Sequence, residues 1–175
     1  MKAWTRRFNI YLSVDMVFVL VNGCKTDEKD KQLSTLRVHI EAGNVGDPSL
    51  LRTITMVRSN PVLITIARDP VLTEANVLAA KVVDNQGGFA IEVQFDENGS
   101  WLLEQYSSAN PGRHFVIFSL WGDTPAQSRW LAAPLIAHRI GNGRLVFTPD
   151  ASREEAEKVA LGLNNAAKKF KGAAE

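Results

Sequence analysis

The chain has 175 residues, enough for one domain of ordinary size. Hydrophobic residues make up 45% and charged residues 22%, which supports a packed core and excludes global disorder. Lys and Arg number 20 against 19 Asp and Glu, so a net charge of +1 argues against a nucleic-acid binder, and the single cysteine excludes an internal disulfide framework or a cysteine-rich zinc site.

The N-terminus reads as an export signal. Lys2, Arg6 and Arg7 make a positive start, and Phe8 to Val21 form a mostly apolar stretch of 14 residues. That is short for a transmembrane helix, which needs about 20 apolar residues. Val21, Asn22 and Gly23 then lead into Cys24, and the sequence turns abruptly polar. A core helix with one buried cysteine would explain neither the charged start nor that switch. These four residues resemble the lipobox of bacterial lipoproteins. The resemblance implies cleavage before Cys24, a diacylglycerol on its sulfur and anchoring to a membrane on the extracytoplasmic side. Residues 1–23 are then a signal peptide, 24–34 a polar tether, and 35–171 a single folded domain.

Within that domain, Leu36, Val38 and Ile40 alternate with Arg37, His39 and Glu41, the period of a half-buried strand. The segment AGNVGDPS reads as a loop. LLRTITMVRS and PVLITIA are β-rich, and Pro61 begins a strand or sits at an edge. Thr73 opens a short helix or turn that positions the next strand. DNQGG is a turn. Phe89, Ile91, Val93 and Phe95 share one strand face. ENGSWLLEQYSSAN reads as a helix with Trp101, Leu102 and Tyr106 on its apolar side, stopped by Asn110, Pro111 and Gly112.

RHFVIFSLWG is nearly all apolar, as a central strand would be. RWLAAPLIAHRI and RLVFTP suggest a hairpin-like pair around Gly141 to Gly143. The last segment is the clearest helix. Ser152 and Glu155 fit a capping box, and Ala156, Val159, Ala160, Leu163, Ala167 and Phe170 share one face. Glu154 and Glu155 start it and Lys168 and Lys169 end it, as the helix dipole favours. Strands mixed with two or three helices, without regular βαβ alternation, predict an α+β fold: a mainly antiparallel sheet with the helices packed on one face.

From about Pro61 to Leu163 the order of features resembles the head subdomain in the first large periplasmic loop of SecD, a protein-export subunit. PVLTEANVLAAKVV, FAIEVQFDENGSWLLEQYSSANPGRHFVIF, LAAPLIAHRIGNGRLVFTP and SREEAEKVALGLN carry it through their order and spacing. The resemblance implies the head's fold and its role of contacting unfolded chains. SecD itself has six transmembrane helices, whereas no apolar run after Cys24 is long enough to span a bilayer. The intramembrane carboxylate and arginine that couple SecD to proton flow have no counterpart.

Sites of chemistry are sparse. His39, His114 and His138 lack a second ligand at helical spacing, and His39 and His138 fall on outward strand positions, so no metal is expected. There is no GxSxG and no phosphate loop, and Ser100 reads as a helix cap. Glu154 and Glu155 are explained by the helix start, and Asp96 with Glu97 shows no more than adjacency. Trp101 is expected in the core. Trp121 and Trp130 flank the loop GDTPAQS, either as rim packing or, with Arg129, as a protein-contact surface.

These features predict a non-enzymatic, cofactor-free, membrane-anchored lipoprotein. It binds an unfolded or envelope protein outside the cytoplasm, in export or envelope assembly. A structural envelope spacer is the alternative, and a small enzyme using His114 with Asp123 the more distant one.

Overall fold

A computed structural model describes residues 31–43, 47–56, 61–122 and 127–172. The chain divides into Met1–Asp30 and Lys31–Glu175. The expected signal peptide, Cys24 and most of the expected tether therefore lie outside the described residues.

The fold is α+β. Strand β1 (Thr35–Ile40) is followed by the hairpin β2 (Leu51–Met56) and β3 (Val62–Ala67), then β4 (Leu72–Thr73). A second hairpin, β5 (Val77–Asn85) and β6 (Gly88–Phe95), leads into helix α1 (Glu97–Ala109). Strands β7 (Phe115–Leu120), β8 (Ser128–Ala132) and β9 (Arg144–Phe147) precede the long helix α2 (Arg153–Gly172). The strands form a four-stranded sheet in the order β4-β1-β7-β8, a three-stranded sheet β5-β6-β9 and the two-stranded β2-β3. Every pairing is antiparallel.

The local signals act as their chemistry requires. The Thr73 hydroxyl accepts from the Ala75 N–H, and the Asn76 side chain accepts from the Thr73 N–H at 3.1 Å. This capped 3-10 turn, Glu74–Asn76, aims β5. Gly87, at φ 95°, makes the turn into β6. The Asp96 carboxylate caps α1 by accepting from the Gly99 N–H at 2.7 Å. Ser100, expected to cap, instead donates to the Phe95 carbonyl. Ser152 and Glu155 make the reciprocal capping box of α2.

The main core lies between the two larger sheets and the two helices. Leu36, Val38, Phe115 and Ile117 from one sheet meet Ile91, Val93 and Phe95 from the other, with Leu103 of α1 and Val159 and Leu163 of α2. The other face of the β1-β7-β8 sheet is not left to solvent. The β2-β3 hairpin covers part of it, burying Ile54, Met56 and Ile66 on Val116. The hairpin is tied on by the Ala42 N–H, which donates to the Thr65 carbonyl at 2.8 Å, and by a bridge between Glu41 and Ile66.

Four further expectations are corrected. β8 and β9 do not pair with each other: β8 joins β7, and β9 joins β6 in the other sheet. The intervening segment is held at Ile136, which is buried and exchanges backbone hydrogen bonds with Gly112 and Arg113. It thus carries the chain between sheets. His39 is not outward-facing but 8% exposed, because the hairpin lies over its face. Trp101 is 60% exposed, since α1 buries Gly99, Leu103 and Ser107 and Trp101 points to the opposite side. Phe170, placed on the buried face of α2, is 48% exposed beyond the last buried residue, Ala167.

The folded body also begins before Thr35. Ser34 is buried, and the Asn165 side chain donates to the Gln32 carbonyl at 2.9 Å. Gly162 makes this possible: a Cβ there would sit 2.6 Å from Ser34 N and 2.7 Å from Leu33 C. Both are backbone atoms and cannot swing aside. Gly162→Ala is therefore expected to destabilise the fold by about 2–3 kcal/mol, whereas Gly141→Ala, whose Cβ meets nothing nearer than 3.6 Å, leaves it unchanged. Denaturant unfolding of the two variants checks the contrast.

Candidate interaction surface

Alternation along β7 assigns its side chains to two faces. Phe115, Ile117 and Ser119 point into the main core. Trp121 continues that parity just past the strand and is 1% exposed, one of the largest buried side chains of the main cluster. On the opposite face Val116 is buried under the hairpin, Phe118 is half-buried and Leu120 is exposed. Cover thus fades along the strand. Trp130 of β8 stands in register with Phe118. Its ring meets Phe118 edge-on at 5.2 Å and His39 at 5.5 Å. Phe118, Leu120 and Trp130 form the open end of this sheet face. The hairpin adds exposed apolar side chains of its own, Val62 and Leu63, the latter 72% exposed, and Leu50 in the turn before β2 is exposed as well.

The three residues expected to form a contact surface therefore separate. Trp130 lies on the partly open face. Trp121 is a core residue, and its burial removes it from any contact surface. Arg129 is a packing cation: its guanidinium lies 5.2 Å from the Trp121 ring centroid and pairs with Glu155. Glu155 also closes the capping box, so Arg129 fastens β8 to the start of α2. The exposed hairpin residues were missed. Their sequence signal was Val62 and Leu63 directly after Pro61, in a strand too short of partners to cover both faces.

No catalytic arrangement emerges among the described residues. His114 Nδ1 lies 2.6 Å from Glu41 Oε2, and the same oxygen accepts from the His114 backbone N–H at 3.0 Å. This pair clamps the end of β1 to the start of β7. Asp123, its suggested catalytic partner, lies outside the described residues. His138 is exposed in the β8–β9 connection. No group of three or more metal-ligating side chains occurs among the described residues. Asp96, Glu97, Asn98 and Trp101 line a shallow depression, but the Asp96 carboxylate is engaged in capping.

His39 sits between the sheet and the hairpin that covers it. Its Nδ1 donates to the Ala67 carbonyl at 2.9 Å. Burial holds its pKa below the ordinary 6.5. The Ala67 bond opposes that shift, Arg52 and Arg37 reinforce it, and Asp69 opposes it.

Antiparallel sheets with two helices over a shared core, and a covering hairpin, define a layered α+β domain. Residues 52–167 match the family described as the SecDF P1 head subdomain, well over half of the chain, and the chain belongs to that family. A solved structure reported for SecDF, "a membrane component" that "enhances protein export", superposes with a TM-score of 0.55 at 19% identity. That match covers 83% of this chain and 71% of the other. SecDF in a super-membrane-facing form gives 0.55 at 20% identity, covering 81% of this chain and 21% of that one. This chain thus spans about a fifth of that second relative's length. At these identities the likeness shows the fold. None of the curated proteins compared matches the chain. No described helix is long and apolar enough to cross a membrane.

Two outcomes follow from these placements. Trp121→Ala leaves a large cavity and is expected to cost about 3–5 kcal/mol, whereas Trp130→Ala costs about 1 kcal/mol; thermal unfolding separates them. The folded state prefers neutral His39, so the unfolded chain takes up the extra proton on acidification. That contribution is complete above pH 6.5 and is lost as pH falls through the lowered folded value. The unfolding midpoint of the native protein should fall with acidification more steeply than that of His39→Phe, measured between about pH 5 and 8.

Proposed function

We propose that this chain is a membrane-anchored, extracytoplasmic lipoprotein whose SecDF-head domain binds a protein or peptide without catalysing a reaction. Its role is accessory to protein export or envelope assembly. The carrying observation is the family match over residues 52–167, which takes in the covering hairpin and every core element except β1. The related structure described as enhancing protein export supports the same direction. Cys24, behind Val21, Asn22 and Gly23, supports the anchor.

The open sheet face offers a place for the partner. Phe118, Leu120 and Trp130 present apolar area that can be desolvated by an extended or partly folded chain. A pure envelope spacer would have no use for that face or for Leu63 at the hairpin surface. The unfolded or envelope proteins suggested by the family are partners this surface suits, and no nucleic acid is implicated.

Two measurements test the proposal. Intact mass of the chain from the membrane fraction should show cleavage before Cys24 and an added diacylglycerol; an unmodified full-length chain overturns the anchor. A photo-crosslinker placed at Leu120 or Leu63 in the full chain should capture exported or envelope proteins in living cells. Capture by neither position, with the protein correctly localised, overturns binding at this surface.

A further inference from the structure

We infer that the C-terminal end of α2 is a membrane-contact face, with Lys168, Lys169, Lys171 and Phe170 meeting the headgroups of anionic phospholipids. This rests on the reading of Cys24 as a lipid anchor.

The first argument is the path of the chain. Ser34 donates to the Lys158 carbonyl, Gly162 packs on Ser34 and Leu33, and Asn165 holds Gln32. Read backwards from Ser34 to Gln32, the chain runs along α2 toward the helix's C-terminus. Lys168 and Lys169 follow Asn165 by one turn, on the same side of the helix. The chain thus enters the folded body beside the lysine-rich end, with exposed Lys31 at that point. Gln32 lies eight residues after Cys24, about 28 Å at full extension. A lipid on Cys24 keeps this end of the domain within that reach of the bilayer.

The second argument is charge and apolarity together. The acids of α2, Glu154, Glu155 and Glu157, all precede Lys158, and none occurs from Leu161 to Gly172. Lysines at a helix C-terminus complement the dipole, which explains one or two of them. It does not explain Phe170 standing half-exposed among three exposed lysines, outside the core. An aromatic ring flanked by cations suits the headgroup layer, where the ring enters the interface and the ammonium groups pair with phosphates.

The test places a fluorophore sensitive to its surroundings at residue 170 in the full chain, as Cys24→Ser with Phe170→Cys. Vesicles of phosphatidylcholine alone are compared with vesicles containing phosphatidylglycerol. Emission should shift to the blue with the anionic vesicles only and revert in about 0.5 M salt. Lys168→Gln, Lys169→Gln and Lys171→Gln together should weaken the effect about a hundredfold; these exposed side chains carry no fold, and an unchanged unfolding midpoint confirms it. Equal emission with both vesicle types overturns the inference. So does a shift produced by a soluble polyanion and not by anionic vesicles. Because the Cys24→Ser variant lacks the thiol at residue 24, the result is independent of the intact-mass measurement, and failure of the anchor and failure of the contact are read apart.

Discussion

The structure depends on how closely helix α2 approaches the backbone it covers. Gly162 removes the one side chain that would hold the helix off residues 33 and 34. Asn164 then reaches the edge of β5, where its amide accepts from the Ala80 N–H and donates to the Ala80 carbonyl, both at 2.8 Å. One side chain stands in for a neighbouring strand. Such a bidentate pair contributes about 1 kcal/mol per bond and leaves the edge unavailable for stray pairing. At its other end Glu155 pairs with Arg129 of β8. A single helix therefore fastens both larger sheets and the chain entering the domain.

With α2 fixed, the faces of the four-stranded sheet are fixed too. β1 and β7 turn Leu36, Val38, Phe115 and Ile117 toward the helices. Their other face would be a solvated sheet surface if the hairpin did not fold over it. The hairpin is short, so it covers the sheet only as far as His39 and Val116 and leaves Phe118, Leu120 and Trp130 partly open. The candidate surface is thus a consequence of strand length. It is the part of a two-sided sheet that its cover does not reach.

Much of this was legible because the relevant signals are local. The caps at Thr73 and Ser152, the turn at Gln86 and Gly87, and the alternation of Phe89 to Phe95 each depend on neighbours within a few residues. What failed depends on distant packing. A period-two strand cannot reveal whether its second face meets water or a hairpin, and so His39 was misplaced. The β8 and β9 segments are compatible with a hairpin until Ile136 is seen buried between them. Trp121 shows a different failure: its parity with Phe115, Ile117 and Ser119 points inward, and neither rim packing nor a contact surface anticipated a core position. Trp130, nine residues on, has the same composition cue and the opposite parity. Facing, and not residue type, separates the core tryptophan from the surface one.

The near-zero net charge shows the same limit of composition. A total of +1 excludes a protein that is basic throughout, yet it averages over real segregation. Within α2 the acids occupy the first turns and the last three turns carry only lysines. Charges at the start are engaged, Glu155 with Arg129 and the Ser152 N–H, and Glu154 with Lys158. No such engagement by an acid is seen for the lysines at the end among the described residues. The helix therefore divides its work: an N-terminal half that holds sheets together through paired charges, and a C-terminal end whose charge is directed outward. The first role follows from folding alone. The second has no folding purpose beyond the dipole, and that surplus, beside an aromatic ring the core does not use, is what a surface retained for contact looks like.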